Sequence, residues 1–214
     1  MIKALPKVGI LDYGSGNIAA LQQALKCISV ESVVLTNKSE IKNANYSHMI
    51  LPGVGRFDMS MGTLHKYELV DSIKQVAKSG KCPILGICLG MHLMADFSFE
   101  GECEGLSLIP GEVRSLNSLN INPTPHMGWN RVFLNSFYEN TNNKLANLFS
   151  ESKYFYFIHS FYFEVNSDIN CLAKVNYLKN FPVVVFKENI LGVQFHPEKS
   201  HSSGLKLIKS FSDL

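Results

Sequence analysis

No apolar run in this chain approaches the length of a membrane span, and neither sign of charge dominates it. Its 20 basic and 18 acidic residues are interspersed, which leaves no electrostatic footprint for nucleic acid or an anionic membrane surface. Cysteine is sparse as well. Cys27, Cys82, Cys88, Cys103 and Cys171 are odd in number, widely spaced and without a Cys-x-x-Cys pair. That pattern argues against a disulfide framework and against a zinc site, and it fits a reducing cytoplasm in which a thiolate persists. Cys82 and Cys88 lie across a strand from each other, and all except Cys88 read as structural. The N-terminal stretch has Lys3 and Lys7 but enters Val8-Gly9-Ile10-Leu11 at once. This is too short for a signal-peptide core and reads as a first strand. Repeats, low-complexity tracts and linkers are missing too, and the 214 residues are expected to form one cytoplasmic domain, 1–214, with no cofactor and no metal.

What is present alternates. Val8 to Tyr13 reads as a strand, followed by Gly14-Ser15-Gly16-Asn17 and a helix from about Ile18 to Ile28. Ser32–Leu35 and His48–Leu51 read as further strands, the second ending at Pro52-Gly53-Val54-Gly55. One helix is expected across roughly Met61 to Lys78, with Leu64, Leu69, Ile73 and Val76 on one face and Gly80 as its stop. Strands and helices in this order imply βαβ units and a parallel sheet. Beyond Phe97 short apolar pieces broken by Gly, Pro and Asn suggest antiparallel strands. An aromatic strand is expected over Tyr154 to Phe163, then strands at Cys171–Val175, Val183–Phe186 and Ile190–Phe195, and a last helix around Ser202 to Phe211. The expected class is α/β, an open and mostly parallel sheet flanked by helices, with an antiparallel addition in the second half.

Gly86-Ile87-Cys88-Leu89-Gly90 carries the chemistry. It follows a buried strand, Pro83 to Ile87, and precedes an apolar helix expected from Leu89 to Phe97. This is the layout of a nucleophile elbow with sulfur in place of a serine hydroxyl, its glycines relieving a crowded backbone. A helix N-terminus there favours the thiolate. By contrast, Gly14-Ser15-Gly16-Asn17 has Ala19 where a dinucleotide fingerprint needs its third glycine, so it reads as a tight turn.

A thiolate nucleophile needs a base, and the base an orienting group. His48 and His65 read as structural, and His201 as a surface or cap residue. His196 ends the strand Ile190–Phe195, is fixed by Pro197 and is followed two residues on by Glu198. In an extended chain positions i and i+2 share a side, so Glu198 can lie beside the imidazole and set its tautomer. Oxyanion donors are expected from the N–H of Leu89 and from the Pro52-Gly53-Val54-Gly55 turn.

Gly-Ile-Cys-Leu-Gly-Met, Leu-Pro-Gly-Val-Gly and Val-Gln-Phe-His-Pro-Glu-Lys-Ser, in this order, resemble the class I (triad-type) glutamine amidotransferases. Asp12-Tyr13-Gly14-Ser15-Gly16-Asn17, Pro125-His126-Met127-Gly128-Trp129-Asn130 and Tyr156-Phe157-Ile158-His159-Ser160 extend the likeness across the chain. The second of these is similar to the branch that forms glutaminase subunits of imidazole glycerol phosphate synthases.

The resemblance implies Cys88 as nucleophile, His196 as base and acid, and Glu198 as orienter. It implies an oxyanion hole from Gly53, Val54 and Leu89, with a peptide flip near Val54. Substrate would be held by Gly55, His92, His159, Ser160 and Phe161. A barrel-shaped synthase (cyclase) subunit would dock over Asn17, Pro125, Met127, Trp129 and Asn130 to form a heterodimer. Glutamine would be hydrolysed to glutamate, and the ammonia passed on to make imidazole glycerol phosphate and AICAR in histidine biosynthesis. A paralogous glutaminase feeding a nucleotide-sugar amidotransferase for surface polysaccharide is the alternative, and a catalytically weak partner-binding subunit or a stand-alone cysteine peptidase would be other classes. Two positions depart from the family pattern: His92 stands where glutamine is usual, and Phe161 where tyrosine or threonine is common. Trp129, the sole tryptophan, suits either a core residue or an amphipathic interface anchor.

Overall fold

The computed structural model describes residues 6–139, 141, 145–151 and 153–214. Strands β1 (Lys7–Leu11), β3 (His48–Leu51) and β4 (Ile84–Ile87) are short and buried on most positions, as central parallel strands require, while β2 (Glu31–Leu35) lies at the sheet edge and buries only Leu35. Helix α1 (Ile18–Cys27) crosses from β1 to β2, capped by the Asn17 side chain on the Ala20 N–H at 3.1 Å. Helix α2 (Lys38–Asn43) follows β2 and is capped by Asn37. The helix expected over 61–78 is two helices, α3 (Phe57–Lys66) and α4 (Val70–Ser79). They break at Glu68, whose φ of +56° no helix accommodates, while Gly80 closes α4 in the left-handed conformation as expected.

The helix after Cys88 is also shorter than expected. Helix α5 (Leu89–His92) is a single turn. The carbonyls that a longer helix would use are taken by a neighbouring loop: Leu93 O by Leu106 N at 2.8 Å, Ala95 O by Ser107 N at 2.9 Å and Met94 O by Leu108 N at 2.9 Å. Phe97 falls instead in the two-residue strand β5 (Phe97–Ser98), which pairs with β6 (Cys103–Glu104) and with β7 (Gly111–Ser115).

The second half is antiparallel. Strands β8 (His126–Leu134) and β9 (Lys153–His159) form a long hairpin-like pair. The aromatic strand expected over 154–163 divides at Ser160, where the chain leaves β9 and enters β10 (Phe161–Val165) in another sheet. Strands β11 (Cys171–Tyr177), β12 (Lys179–Lys187) and β13 (Ile190–Val193) complete the set, and helix α6 (His201–Ser212) ends the chain.

The large sheet has nine strands in the order β2-β1-β3-β4-β13-β12-β11-β8-β9, and the small one is β10-β7-β5-β6. The first five strands of the large sheet are mutually parallel and the remaining four antiparallel, so the addition is an extension of the same sheet. Two apolar clusters pack its faces, one containing Leu25, Phe195 and Phe211, the other Phe57, Leu64 and Met91. The pairing of β4 with β13 has the largest chemical consequence, because Ile87 and Val193 are register partners and both strands leave the sheet at the same end. Cys88 and His196 are thereby delivered to one edge.

Candidate active site

Cys88 sits at the end of β4 with φ +54° and ψ −110°, a strained conformation that a non-glycine residue adopts only where its surroundings impose it. Its N–H donates to Val193 O at 2.8 Å, which ties the elbow to β13. The glycine after it is needed for contact: a Cβ on Gly90 would lie 1.8 Å from Leu51 O. With α5 only one turn long, the helix macrodipole expected behind the thiolate is small.

His196 follows β13 and is held by backbone at both ends. Its N–H donates to Tyr156 O at 3.0 Å, and its carbonyl accepts from Ser200 Oγ at 2.6 Å. Helix α6 presses against this segment, and a Cβ on Gly204 would meet Pro197 O at 1.8 Å. The ring Nδ1 lies 2.8 Å from Glu198 Oε1, with both side chains almost fully buried. The imidazole also stands beside Cys88 and is influenced by it. Burial works against an imidazolium here, but the influence of Cys88 and of Glu198 outweighs it and holds the His196 pKa up at about 10. Cysteine, imidazole and carboxylate thus stand together as one electrostatically coupled group.

The array opens on a cavity of about 430 Å³. Every residue expected to hold substrate borders it: Gly55, His92, His159, Ser160 and Phe161. Val54 and Leu89 border it too, whereas Gly53 is buried behind them, where a Cβ would collide with Leu89 and Gly90. Both backbone groups of Val54 are engaged by Ser15, which accepts from its N–H at 2.9 Å and donates to its carbonyl at 2.6 Å. In this conformation the Val54 N–H is directed at the hydroxyl and is not offered as an oxyanion donor. The Gly14–Asn17 turn therefore has a definite task, and Gly14 and Gly16 supply its positive φ angles.

His159 spends both ring nitrogens inside the protein. Nδ1 donates to Phe161 O at 2.7 Å, and Nε2 accepts from His126 Nδ1 at 2.8 Å, so its ring borders the cavity without a free polar atom. Burial, then the neighbouring His126, pushes its pKa well below the ordinary histidine value. Three residues bordering the cavity went unrecognised in the sequence: Glu100, Ile158 and Lys199. Lys199 lies in the same run as His196 and Glu198, which was its signal. Glu100 had none, being brought in by a loop and fixed by the Phe57 N–H at 3.1 Å.

Of the residues expected at a partner surface, Met127, Trp129 and Pro125 are exposed, and Trp129 is 46 % exposed and stacked on His201 at 5.0 Å. The core alternative for Trp129 is thereby excluded. Met127 pairs with Ile158 and Arg131 with Tyr154 across β8 and β9, giving an outward face that runs to the cavity rim. Asn130 does not share that face. Strand alternation turns it away, and its side chain serves His126, Asn176 and Arg131. Asn17 is exposed at the head of α1 but is engaged as its cap. His48 is buried against Phe211, and His65 is exposed. Cys27 is exposed, which removes the packing role expected for it.

The chain belongs to the class-I glutamine amidotransferase family, whose model matches residues 9–212. Among its relatives is the imidazole glycerol phosphate synthase subunit HisH 2 of Methanococcus maripaludis, 38% identical over 95% of this chain and 98% of that protein. The corresponding subunit HisH of Bacillus cereus is 41% identical over 95% of this chain and 93% of that one. Its fold is shared with the crystal structure of a glutamine amidotransferase, with a TM-score of 0.74 at 18% identity over 97% and 99% of the two chains. The structure of PurLQS from Thermotoga maritima matches with a TM-score of 0.73 at 19% identity over 98% of each chain. Among the described residues no helix is long and apolar enough to cross a membrane.

Proposed function

We propose that this chain is the glutaminase subunit of an imidazole glycerol phosphate synthase, with Cys88 as nucleophile, His196 as acid and base, and Glu198 as orienter. The observation that supports this most is the placing of Cys88, His196 and Glu198 together on a half-open cavity of about 430 Å³, with His196 Nδ1 on the Glu198 carboxylate. The thiolate adds to the side-chain amide carbon of glutamine. His196 passes its proton to the departing nitrogen, which leaves as ammonia, and a γ-glutamyl thioester remains. Water, deprotonated by His196, attacks the thioester, glutamate leaves and the thiolate returns. The N–H of Leu89 is one donor for the tetrahedral oxyanion. The Val54 peptide supplies a second once it turns away from Ser15.

Glu100 and Lys199 carry opposite charges at the cavity wall, complementary to the α-ammonium and α-carboxylate of glutamine. The Met127–Trp129–Ile158 face receives the synthase subunit, which consumes the ammonia in histidine biosynthesis. A working thiolate requires a reducing compartment, so the site of action is the cytoplasm. The test is glutamate release by the chain alone, with the histidine-pathway cyclase barrel, and with that barrel plus its acceptor nucleotide. Strong stimulation by the last mixture is expected. Stimulation only by a nucleotide-sugar amidotransferase barrel would replace this reading with the paralogous one.

A further inference from the structure

The Cys88 sulfur has a second polar neighbour that takes no part in the thioester chemistry. Gln194 is fully buried between β13 and His196, and its Nε2 lies 3.9 Å from Cys88 Sγ. Gln194 and His196 are two residues apart in extended chain, so both side chains reach the same sulfur. The other end of the amide is held: Gln194 Oε1 is 2.6 Å from Nε2 of His92, one helical turn beyond Cys88 and 4 % exposed.

The direction of this chain of hydrogen bonds is set by charge. Burial keeps the His92 imidazole neutral, with its pKa pushed down to about 4, and a neutral ring can donate from Nε2 to the amide oxygen. That leaves the Gln194 NH₂ facing the sulfur. The reversed amide would set a carbonyl oxygen against a buried thiolate, which is repulsive. We propose that Gln194 donates a hydrogen bond to the Cys88 thiolate, and that His92 is a positioning residue that locks the Gln194 amide in the donating orientation. This rests on Cys88 being the nucleophile. It gives the unusual histidine at position 92 a role in preparing the free enzyme, distinct from holding glutamine. The other titratable groups around the sulfur are His196 backed by Glu198, Tyr13 behind the elbow, and His159, Glu100 and Lys199 around the cavity.

The experiment is the rate of Cys88 alkylation by iodoacetamide as a function of pH, monitored by mass spectrometry at that residue in the full chain, alongside KM and kcat for glutamine. Gln194→Leu should slow alkylation at neutral pH about tenfold and move its pH midpoint upward, as loss of a hydrogen bond to a charged group requires. His92→Leu should move both in the same direction by a smaller factor. His92→Gln, which restores an N–H donor to Gln194, should return alkylation to within about twofold of the parent. Thermal melts establish that each variant is folded, and Gln194→Met replaces Gln194→Leu if the latter is not. An unchanged alkylation profile in the Gln194 variant overturns the proposal. So does a His92→Leu variant in which only KM rises, since that makes His92 a substrate contact alone. Cys88→Ala separates the two readings: if it still releases glutamate the nucleophile assignment fails, whereas its inactivity beside an unmoved alkylation profile sinks only the relay.

Discussion

Two pairs of histidine contacts lie on either side of the same cavity, and they have opposite charge states for a reason visible in their partners. On one side His196 is buried between Glu198 and Cys88, two groups that gain from a positive neighbour, and its pKa is held up at about 10. On the other, His159 and His126 are buried against each other, with a backbone carbonyl at one end and the Asn130 amide at the other. Burial leads there: it alone pushes His126 down to about 4, and it acts together with the neighbouring His126 to push His159 down. Their hydrogen bonds also assign the tautomers. Phe161 O takes the His159 proton, so His159 Nε2 accepts from His126, whose Nε2 in turn accepts from Asn130. His196 is thus the imidazole that moves protons at the cavity, whereas His159, backed by His126, holds its wall in place. A buried histidine takes its role from whether an acid stands behind it.

The contrast is broken most severely by removing the acid and the sulfur. Cys88→Ala should abolish partner-stimulated glutamate release, by on the order of 10⁴-fold, with folding and partner binding retained. It should also lower the His196 pKa, read from the imidazole resonances by NMR, because one of the two raising partners is gone. Residual release near the parent rate would show that the sulfur is not the nucleophile. Glu198→Gln is the sharper probe, since it preserves shape while removing charge. Glutamate release should fall roughly 10²- to 10³-fold, and the His196 pKa should drop towards the range of its neutral counterparts. If His196 stayed protonated through neutral pH in that variant, Cys88 alone would account for its charge.

These differences were unevenly legible in the sequence. His196, Pro197 and Glu198 are adjacent, so strand geometry alone placed the carboxylate beside the ring, and the paired glycines around Cys88 announced the elbow. Parallel pairing of β4 with β13 then had to bring two segments more than a hundred residues apart to one sheet end, a pairing that βαβ alternation suggests without specifying the strand order. The wall histidines were harder. His126 and His159 meet only because β8 and β9 pair in one register, and nothing local to either residue announces a neutral pair. Helix lengths failed where a tertiary contact took the backbone: the 105–109 loop claims the carbonyls of Leu93, Met94 and Ala95, and an apolar run that reads as a helix ends after one turn. Gln194 stood in plain view beside Phe195 and His196, but its task depends on His92, across the strand-to-helix junction.

The gentlest test of the comparison asks how stability responds to pH. A group whose folded pKa lies above its unfolded value contributes stability that is present below the unfolded value of 6.5 and lost as pH rises through about 10, which describes His196. His126 is the reverse. Its folded pKa lies below 6.5, so its contribution is present above that value and lost as pH falls towards about 4. His126→Phe keeps the stacking against Phe157 and Tyr177 but cannot titrate and cannot donate to His159. Urea denaturation across this range should therefore show a shallower acid limb for the variant, together with a loss of about 1–3 kcal/mol at neutral pH from the unmet His159 acceptor. The cavity wall at Phe161 loosens with it, so KM for glutamine should rise a few-fold while kcat holds. An acid limb that steepened in His126→Phe would mean that His126 is charged in the folded protein, and the division between one working imidazole and two structural ones would have to be redrawn.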